Sequence, residues 1–506
     1  MDAVSDGPDL ERTGAELARV LARDPRLWPG APDAGRWLGW VASDARAEAH
    51  LAAILPLAAA VRDEGTTDVV LAGMGGSSLF PEVLARTFGP APGSPRLRTI
   101  DSTDPAAVLR VEREVPWASA LVVAASKSGT TVETLAHLAR FGARLADVRP
   151  DGPERAVVAV TDPGSPLAAR AAAEGFRAVV PGDPDVGGRF SALSPFGLLP
   201  AALLGVDVAA LVAAASDLRA RAVADPADPD GPAGLAAFLA AGAADGRDVL
   251  HVLVPPGLEP FGAWVEQLVA ESTGKRGRGV LPVVTRTAGD VRLGPRRMVV
   301  AVGGAVAAED PHLADLRVAG VPVLVLPRPD GAALGAEVLR WMLATALLGA
   351  RLGVDPFDQP DVAAAKSATA EALATGAGPG PAGSFRALVG DLASARYLAV
   401  LAYVDPAGPV ADALEARCRV LGRELDVPVT LGIGPRYLHS TGQYHKGGPP
   451  GGVFAIVVGD DPEDADVPGL PYGFSALKRA QAAGDLTALR AAGRTALHVD
   501  AATLLG

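Results

Sequence analysis

The 506-residue chain holds one cysteine, Cys418, which excludes an internal disulfide and any cysteine-based zinc site and suits a reducing compartment. Lysine is almost as scarce: only Lys127, Lys275, Lys366, Lys446 and Lys478 stand among 46 basic residues. Arginine and lysine differ in shape, hydration and proton affinity, so each of the five marks a position to inspect. Positive charge is outweighed throughout, with a net charge of −12, which argues against a nucleic-acid or anionic-membrane partner. The opening MDAVSDGPDLERTG is acidic and has no apolar segment of the secretory kind. The apolar run from Leu51 to Val61 is too short to span a bilayer and closes on Arg62 and Asp63. No HxH, HExxH or carboxylate cluster points to a catalytic metal. These absences predict a soluble, cytoplasmic protein that works without metal.

What is present is a repeating α/β pattern. DVVLAG (68–73), LRTI (97–100), ALVVAAS (120–126) and AVVAVTD (156–162) are short apolar runs, each followed by a stretch long enough for a helix. Such runs read as parallel strands covered on both faces. The pattern returns at 249–255, 297–304 and 321–327, and again at 397–404, 427–434 and 452–458. The Pro-rich DPADPDGP (225–232) reads as a linker, and TGAGPGPAGS (375–384) as a mobile one. The expected layout is a helical lead over 1–66, an α/β lobe over 67–225, a second over 226–375 and a smaller α/β unit over 376–506.

Two strand-to-helix turns carry anion chemistry. GMGGSSL (73–79) and SKSGTT (126–131) combine small residues, hydroxyls and the free N–H groups of a following helix. Neither has the Rossmann or Walker A spacing, so no nucleotide is implied. One such loop reads equally well as a tight turn with a helix cap; two in adjacent units favour a phosphate.

Three further segments hold candidate chemistry. In FGAWVEQLVAESTGK (261–275), Gln267 and Glu271 share one helix face at the edge of an apolar stripe. A carboxylate at a buried helix end holds its proton more tightly, as a group that takes and returns a proton must. Spacing alone nevertheless favours an ordinary solvated glutamate. In FDQPDVAAAKSATAEAL (357–373), Val362, Lys366 and Ala370 fall on one stripe, where a lysine either snorkels or serves a site. YLHSTGQYHKGGP (437–449) carries His439, His445 and Lys446; for the last two a Gly-flanked surface loop is the plainer reading. Lys478 falls on an amphipathic helix with no chemistry attached.

Taken together these strings resemble a family. SKSGTT, with GGSS upstream and GGRFSALS (187–194) downstream, is similar to the sugar isomerase (SIS) fold and to phosphoglucose isomerases in particular. ESTGK resembles that family's ESxGK motif, including the glutamine four residues before the glutamate. FDQP with Lys366 resembles FDQxGVExxK, with Asp361 and Ala363 in place of the usual Gly and Glu. LHSTGQ resembles LHSxGQ, but it follows FDQP instead of preceding it. That order resembles the isomerase half of bifunctional transaldolase–phosphoglucose isomerase chains, whose tails also carry LKRAQAxGDxxxLR (compare 477–490).

The resemblance implies two SIS-type doubly wound lobes and interconversion of glucose 6-phosphate and fructose 6-phosphate through a cis-enediol, a step of glycolysis and gluconeogenesis. By that resemblance Glu271 is the base, and Arg189, beside Gly188, offsets the enediolate charge. His439 and Lys366 open the sugar ring. Gly76, Ser77, Ser126, Ser128, Thr131 and the Lys127 backbone hold the phosphate, with Gln267 positioning the substrate. No cofactor or metal is implied. Family enzymes are often homodimers that share the histidine across subunits, which leaves open whether His439 serves its own chain. A sibling isomerase for mannose 6-phosphate and a non-catalytic SIS sugar-phosphate sensor are the alternatives. An amidotransferase is disfavoured by the lack of an early cysteine.

Overall fold

The Val-, Leu- and Ala-rich runs form parallel strands in a computed structural model that describes residues 7–425 and 427–506; the first six residues of the acidic lead lie outside it. The first sheet contains β1 (Asp68–Gly73), β2 (Arg96–Ile100), β3 (Ala120–Ala125), β4 (Val157–Thr161) and β5 (Ala178–Pro181), in the order β2-β1-β3-β4-β5. The second contains β6 (Val249–Leu253), β7 (Leu281–Thr285), β8 (Arg297–Val302) and β9 (Val323–Leu326), in the order β7-β6-β8-β9. The third contains β10 (Tyr397–Tyr403), β11 (Val429–Ile433), β12 (Gly452–Val458) and β13 (Thr495–His498), in the order β11-β10-β12-β13. Every strand pairing within the three sheets is parallel. The architecture is α/β, as expected.

All three sheets start from a central strand, step outward, then cross to its other side. In such sheets the loops diverge at the reversal point, and ligands bind outside the carboxyl ends of the strands there. In the first sheet that point lies between β1 and β3, where Gly73 is in register with Ala125. The GMGGSSL and SKSGTT turns leave the sheet side by side at this place.

The three strands not singled out in the sequence are β5, β7 and β13, each at a sheet edge. Edge strands need no continuous apolar run, and two of these carry a proline, Pro181 and Pro282.

One apolar cluster runs from Leu17 to Phe357 and joins the lead to the first two sheets. The 225–232 segment is a short turn inside this arrangement, between Val208–Ala224 and Pro232–Ala244, both packed on Ala333–Leu352. The lead does more than cover the first lobe: Gly7–Leu21 packs on Pro232–Ala244 and Ala333–Leu352. Arg351 fastens it there through Asp9 (2.8 Å), Glu16 (2.6 Å) and Thr13 (2.6 Å). Among the described residues one helix, Ala333–Leu352, is long and apolar enough to cross a bilayer, and 83% of that window is buried inside the protein. Its hydrophobicity serves this core.

Composition misleads at two places. The 375–384 segment is tied down, because Gly383 donates to His498 O (2.8 Å) and His498 Nδ1 meets Gly380 O (2.8 Å). Lys478 is fully buried in Phe474–Ala491, pairing with Asp104 (2.9 Å) and Asp461. Removing one partner of a buried ion pair strands the other charge, at a cost of about 3–5 kcal/mol. Lys478→Met is therefore expected to lower the unfolding free energy by about that amount. An unchanged denaturant midpoint would show the pair to be dispensable.

Candidate active site

Helix Glu259–Thr273 brings Gln267 and Glu271 to the loops of the first sheet. Phe261, Trp264, Val265 and Leu268 bury its apolar stripe, leaving the polar pair at the stripe's edge, inside the protein. Glu271 Oε1 lies 2.8 Å from Arg189 Nη1, and both side chains are almost wholly buried. This guanidinium partner lies 82 residues away in the chain and leaves no mark on the spacing around Glu271. Arg189 is aimed by two carbonyls, those of Pro356 (3.2 Å) and Asp358 (2.6 Å), which lie at the FDQP segment. Glu271, Arg189 and the carbonyls at FDQP thus lie in one contact group.

Gln267 Nε2 donates to Glu271 Oε2 (3.1 Å) and to the backbone carbonyl of His439 (2.7 Å). Its Oε1 is buried without a hydrogen-bond partner among the described residues. An acceptor left in that state beside a carboxylate is suited to a ligand hydroxyl. The glycines next to it leave no room for side chains. A Cβ on Gly75, whose φ is +56°, would lie 2.8 Å from both Gln267 Nε2 and His439 O. One on Gly76 would lie 1.9 Å from the Gly188 carbonyl. The GGSS and GGRF turns therefore touch backbone to backbone, with Ser77 buried beside them.

The SKSGTT turn is organised by its own hydroxyls. Ser126 Oγ meets Thr131 Oγ1 (2.8 Å) and accepts from the Gly129 N–H (3.1 Å). Exposed Ser128 meets Thr130 (2.9 Å). Thr131 precedes helix Val132–Val148 without bonding its first-turn N–H groups. Those donors remain oriented for an anion. The Lys127 ammonium turns elsewhere, to Asp162 (2.6 Å) and the Asp183 carbonyl (2.9 Å). Its side chain pins the loop to the far half of the sheet, which leaves only its backbone for a ligand.

His439 arrives from the third unit, in the turn Arg436–His439 after β11. Arg436 anchors that turn to the first unit through Asp101 (2.8 Å) and Glu82 (2.8 Å). His439 Nε2 then meets Glu133 Oε1 at 3.1 Å. Burial alone would raise the Glu133 carboxyl, but His439 and, less strongly, Lys366 outweigh it and hold it below its ordinary value. Glu133 went unread in the sequence because an acid in the first turn of a helix is usually explained by the helix dipole.

Lys366 sits differently from the expectation. The packed face of Val362–Thr375 is Ala365, Thr369 and Ala372, whereas Lys366 and Ala370 are exposed. Small residues decide this: a Cβ on Gly484 would come within 2.5 Å of Thr369 Oγ1, so the helix crosses Phe474–Ala491 at that point. Lys366 remains close enough to act electrostatically on Glu133.

The departure at Asp361 is also accounted for. Gln443 of the displaced motif donates to Asp361 Oδ2 (2.6 Å) and to Gly274 O (3.0 Å), and accepts from the Asp361 N–H (3.1 Å). One glutamine thus joins the ESTGK and FDQP segments. His445 and Lys446 are buried, not on a surface loop. His445 Nδ1 meets Tyr397 Oη (3.1 Å), and burial pushes its pKa well down. Lys446 pairs with Asp485 (2.6 Å), which also accepts from Tyr437 Oη (2.7 Å). Lys275, likewise buried, pairs with Asp358 (2.8 Å), and burial brings its pKa down to about 8. Among the described residues no cluster of three or more His, Cys, Asp or Glu offers a metal site.

A family model for phosphoglucose isomerase matches residues 60–295, stopping ahead of FDQP and HSTGQ. A curated glucose-6-phosphate isomerase of Rubrobacter xylanophilus is 33% identical over 381 residues, covering 64% of this chain and 86% of its own length. A probable glucose-6-phosphate isomerase of Haloarcula marismortui is 32% identical, over 60% of this chain and 77% of its own. A crystal structure of a hypothetical protein from Thermus thermophilus superposes with a TM-score of 0.62 at 30% identity, covering 72% of this chain and 96% of that one. That of a glucose-6-phosphate isomerase from Chlamydia trachomatis, at 21% identity and a TM-score of 0.56, shares the fold. The chain belongs to the glucose-6-phosphate isomerase family.

Proposed function

We propose that the chain interconverts glucose 6-phosphate and fructose 6-phosphate, with Glu271 as the base that moves the proton between C2 and C1. The observation that carries this is one contact chain, Arg189–Glu271–Gln267–His439, which draws three separate motifs and all three sheets' loops together. The phosphate docks on Ser77 and on Ser126, Ser128 and Thr131 with the adjoining backbone N–H groups, including those at Gly76 and Lys127. His439, held by Glu133, gives a proton to the ring oxygen as the C1–O5 bond breaks and the O1 hydroxyl yields its proton to water, while Lys366 supplies positive charge nearby. In the open aldose, Glu271 takes the C2 proton while the electron pair moves onto O1. The O2 proton passes to O1, and Glu271 returns its proton to C1, giving the ketose. Arg189 stays charged throughout and stabilises the enediolate oxygens without donating its proton. The Gly188 carbonyl packed at Gly76 keeps that guanidinium turn against the phosphate turn.

A sensor would need the phosphate turns but not a buried carboxylate between a guanidinium and an amide. Fructose 6-phosphate incubated with the protein in D₂O is expected to acquire deuterium at C1, and the glucose 6-phosphate formed to acquire it at C2, as followed by NMR. Absence of exchange would overturn every isomerase assignment.

A further inference from the structure

The helix Phe474–Ala491 carries three buried polar side chains at 478, 481 and 485, on one face, and each reaches a different part of the site. Lys478 holds Asp104, and Asp485 holds Lys446 and Tyr437. Gln481, 2% exposed, lies between them. Its Nε2 donates to Glu133 Oε1 (2.8 Å), the same oxygen that meets His439 Nε2. Its Oε1 accepts from Thr103 Oγ1 (2.6 Å). The threonine hydroxyl thereby fixes which end of the amide faces the carboxylate.

We infer that Gln481 is a positioning residue for ring opening: oriented by Thr103, it holds the Glu133 carboxylate in the place and charge state that His439 requires. This rests on the assignment of His439 to ring opening. Glu133 is buried, and a carboxylate so placed is favoured by each donor it keeps. The groups acting on it are His439, exposed Lys366, His137 on its own helix and Tyr403 from β10. Burial holds His137 at a pKa of about 4, and Tyr403 is pushed well above its ordinary value, so both are neutral near pH 7. His439, the Glu133 backbone N–H, Lys366 and the Gln481 amide favour the Glu133 anion, and the amide is the uncharged side-chain donor among them. Without it Glu133 takes up a proton more readily, and His439 loses its charged partner at a higher pH.

Gln481→Met keeps the length and removes both hydrogen bonds. The expected result is a kcat about tenfold lower, KM within about twofold, and an acid limb of the kcat–pH profile moved upward by about one unit, the scale of one hydrogen bond to a charged group. Thr103→Val, which removes only the orienting hydroxyl, moves the same limb in the same direction by less, and Thr103→Ser restores most of the difference. If Gln481→Met does not fold, the Thr103 pair decides. An unchanged acid limb and kcat, with only the melting temperature altered, would overturn the positioning role. His439→Gln separates the two failures. A fully active His439→Gln enzyme refutes the ring-opening assignment itself. An impaired one, beside normal Gln481 and Thr103 variants, refutes only the role of Gln481.

Discussion

Glu271→Gln is expected to lower kcat by about 10²- to 10⁴-fold, the usual worth of a positioned general base. The substitution is nearly isosteric, so the Gln267 amide retains an acceptor at 271, and the phosphate turns lie on other elements. Binding of fructose 6-phosphate, read by calorimetry, is expected to change little. The loss should therefore fall on kcat, as for an interaction made in the transition state. Arg189 complicates the variant in a way that is itself measurable. Its guanidinium keeps the Pro356 and Asp358 carbonyls but loses its buried counter-charge. A buried cation left without its anion destabilises the fold. The melting temperature should fall together with the rate, and activity must be expressed per folded molecule. A Glu271→Gln enzyme with wild-type kcat would remove Glu271 from the chemistry.

What the sequence disclosed followed from how local each feature is. A parallel strand buried on both faces is apolar over most of its length, so β1, β3, β6, β8, β10 and β12 are plain in the sequence. Glycines that let turns meet were visible as GGSS and GGRF, although their reason, the approach of Gly76 to the Gly188 carbonyl, is a property of two distant segments. Long-range partners left no such mark. Glu133 and Gln481 are 348 residues apart and meet through one hydrogen bond, and neither lies in a pattern that periodicity detects.

The five lysines illustrate the limit. Rarity marked them correctly as places of consequence, since four of the five are fixed by ion pairs. It gave no guide to which chemistry each serves. Three, Lys275, Lys446 and Lys478, are buried structural cations, Lys127 braces a loop, and only Lys366 is left facing outward at the site. Helical spacing misplaced Lys366 by one residue on its helix, because the packed face was chosen by the small residues of a partner helix more than 100 positions away.

The relocation of the histidine motif gives the second large effect. His439 reaches Glu133, and its carbonyl reaches Gln267, within one chain. Arg436, bound to Asp101 and Glu82 of the first unit, holds the turn in that position. Gln443 ties the same motif to Gly274 and Asp361. Each of these contacts joins His439's turn to the rest of the same chain, and supply of the histidine in cis is the arrangement we propose from them. His439→Gln and Glu271→Gln are each expected to lose about 10²-fold or more in kcat. Mixing the two variants, by co-expression or joint refolding, then discriminates the arrangements. If the histidine crossed a two-fold interface, random pairing would return about a quarter of the wild-type sites, because half the dimers are mixed and each mixed dimer holds one intact site. With the histidine in cis, every chain keeps one defect whatever it pairs with, and the mixture stays at the level of the separate variants. The same geometry predicts a specific activity for the wild-type enzyme that is constant on dilution to concentrations where any dimer has dissociated. Recovery of activity in the mixture would place His439 in a neighbour's site and require the third unit to exchange between chains.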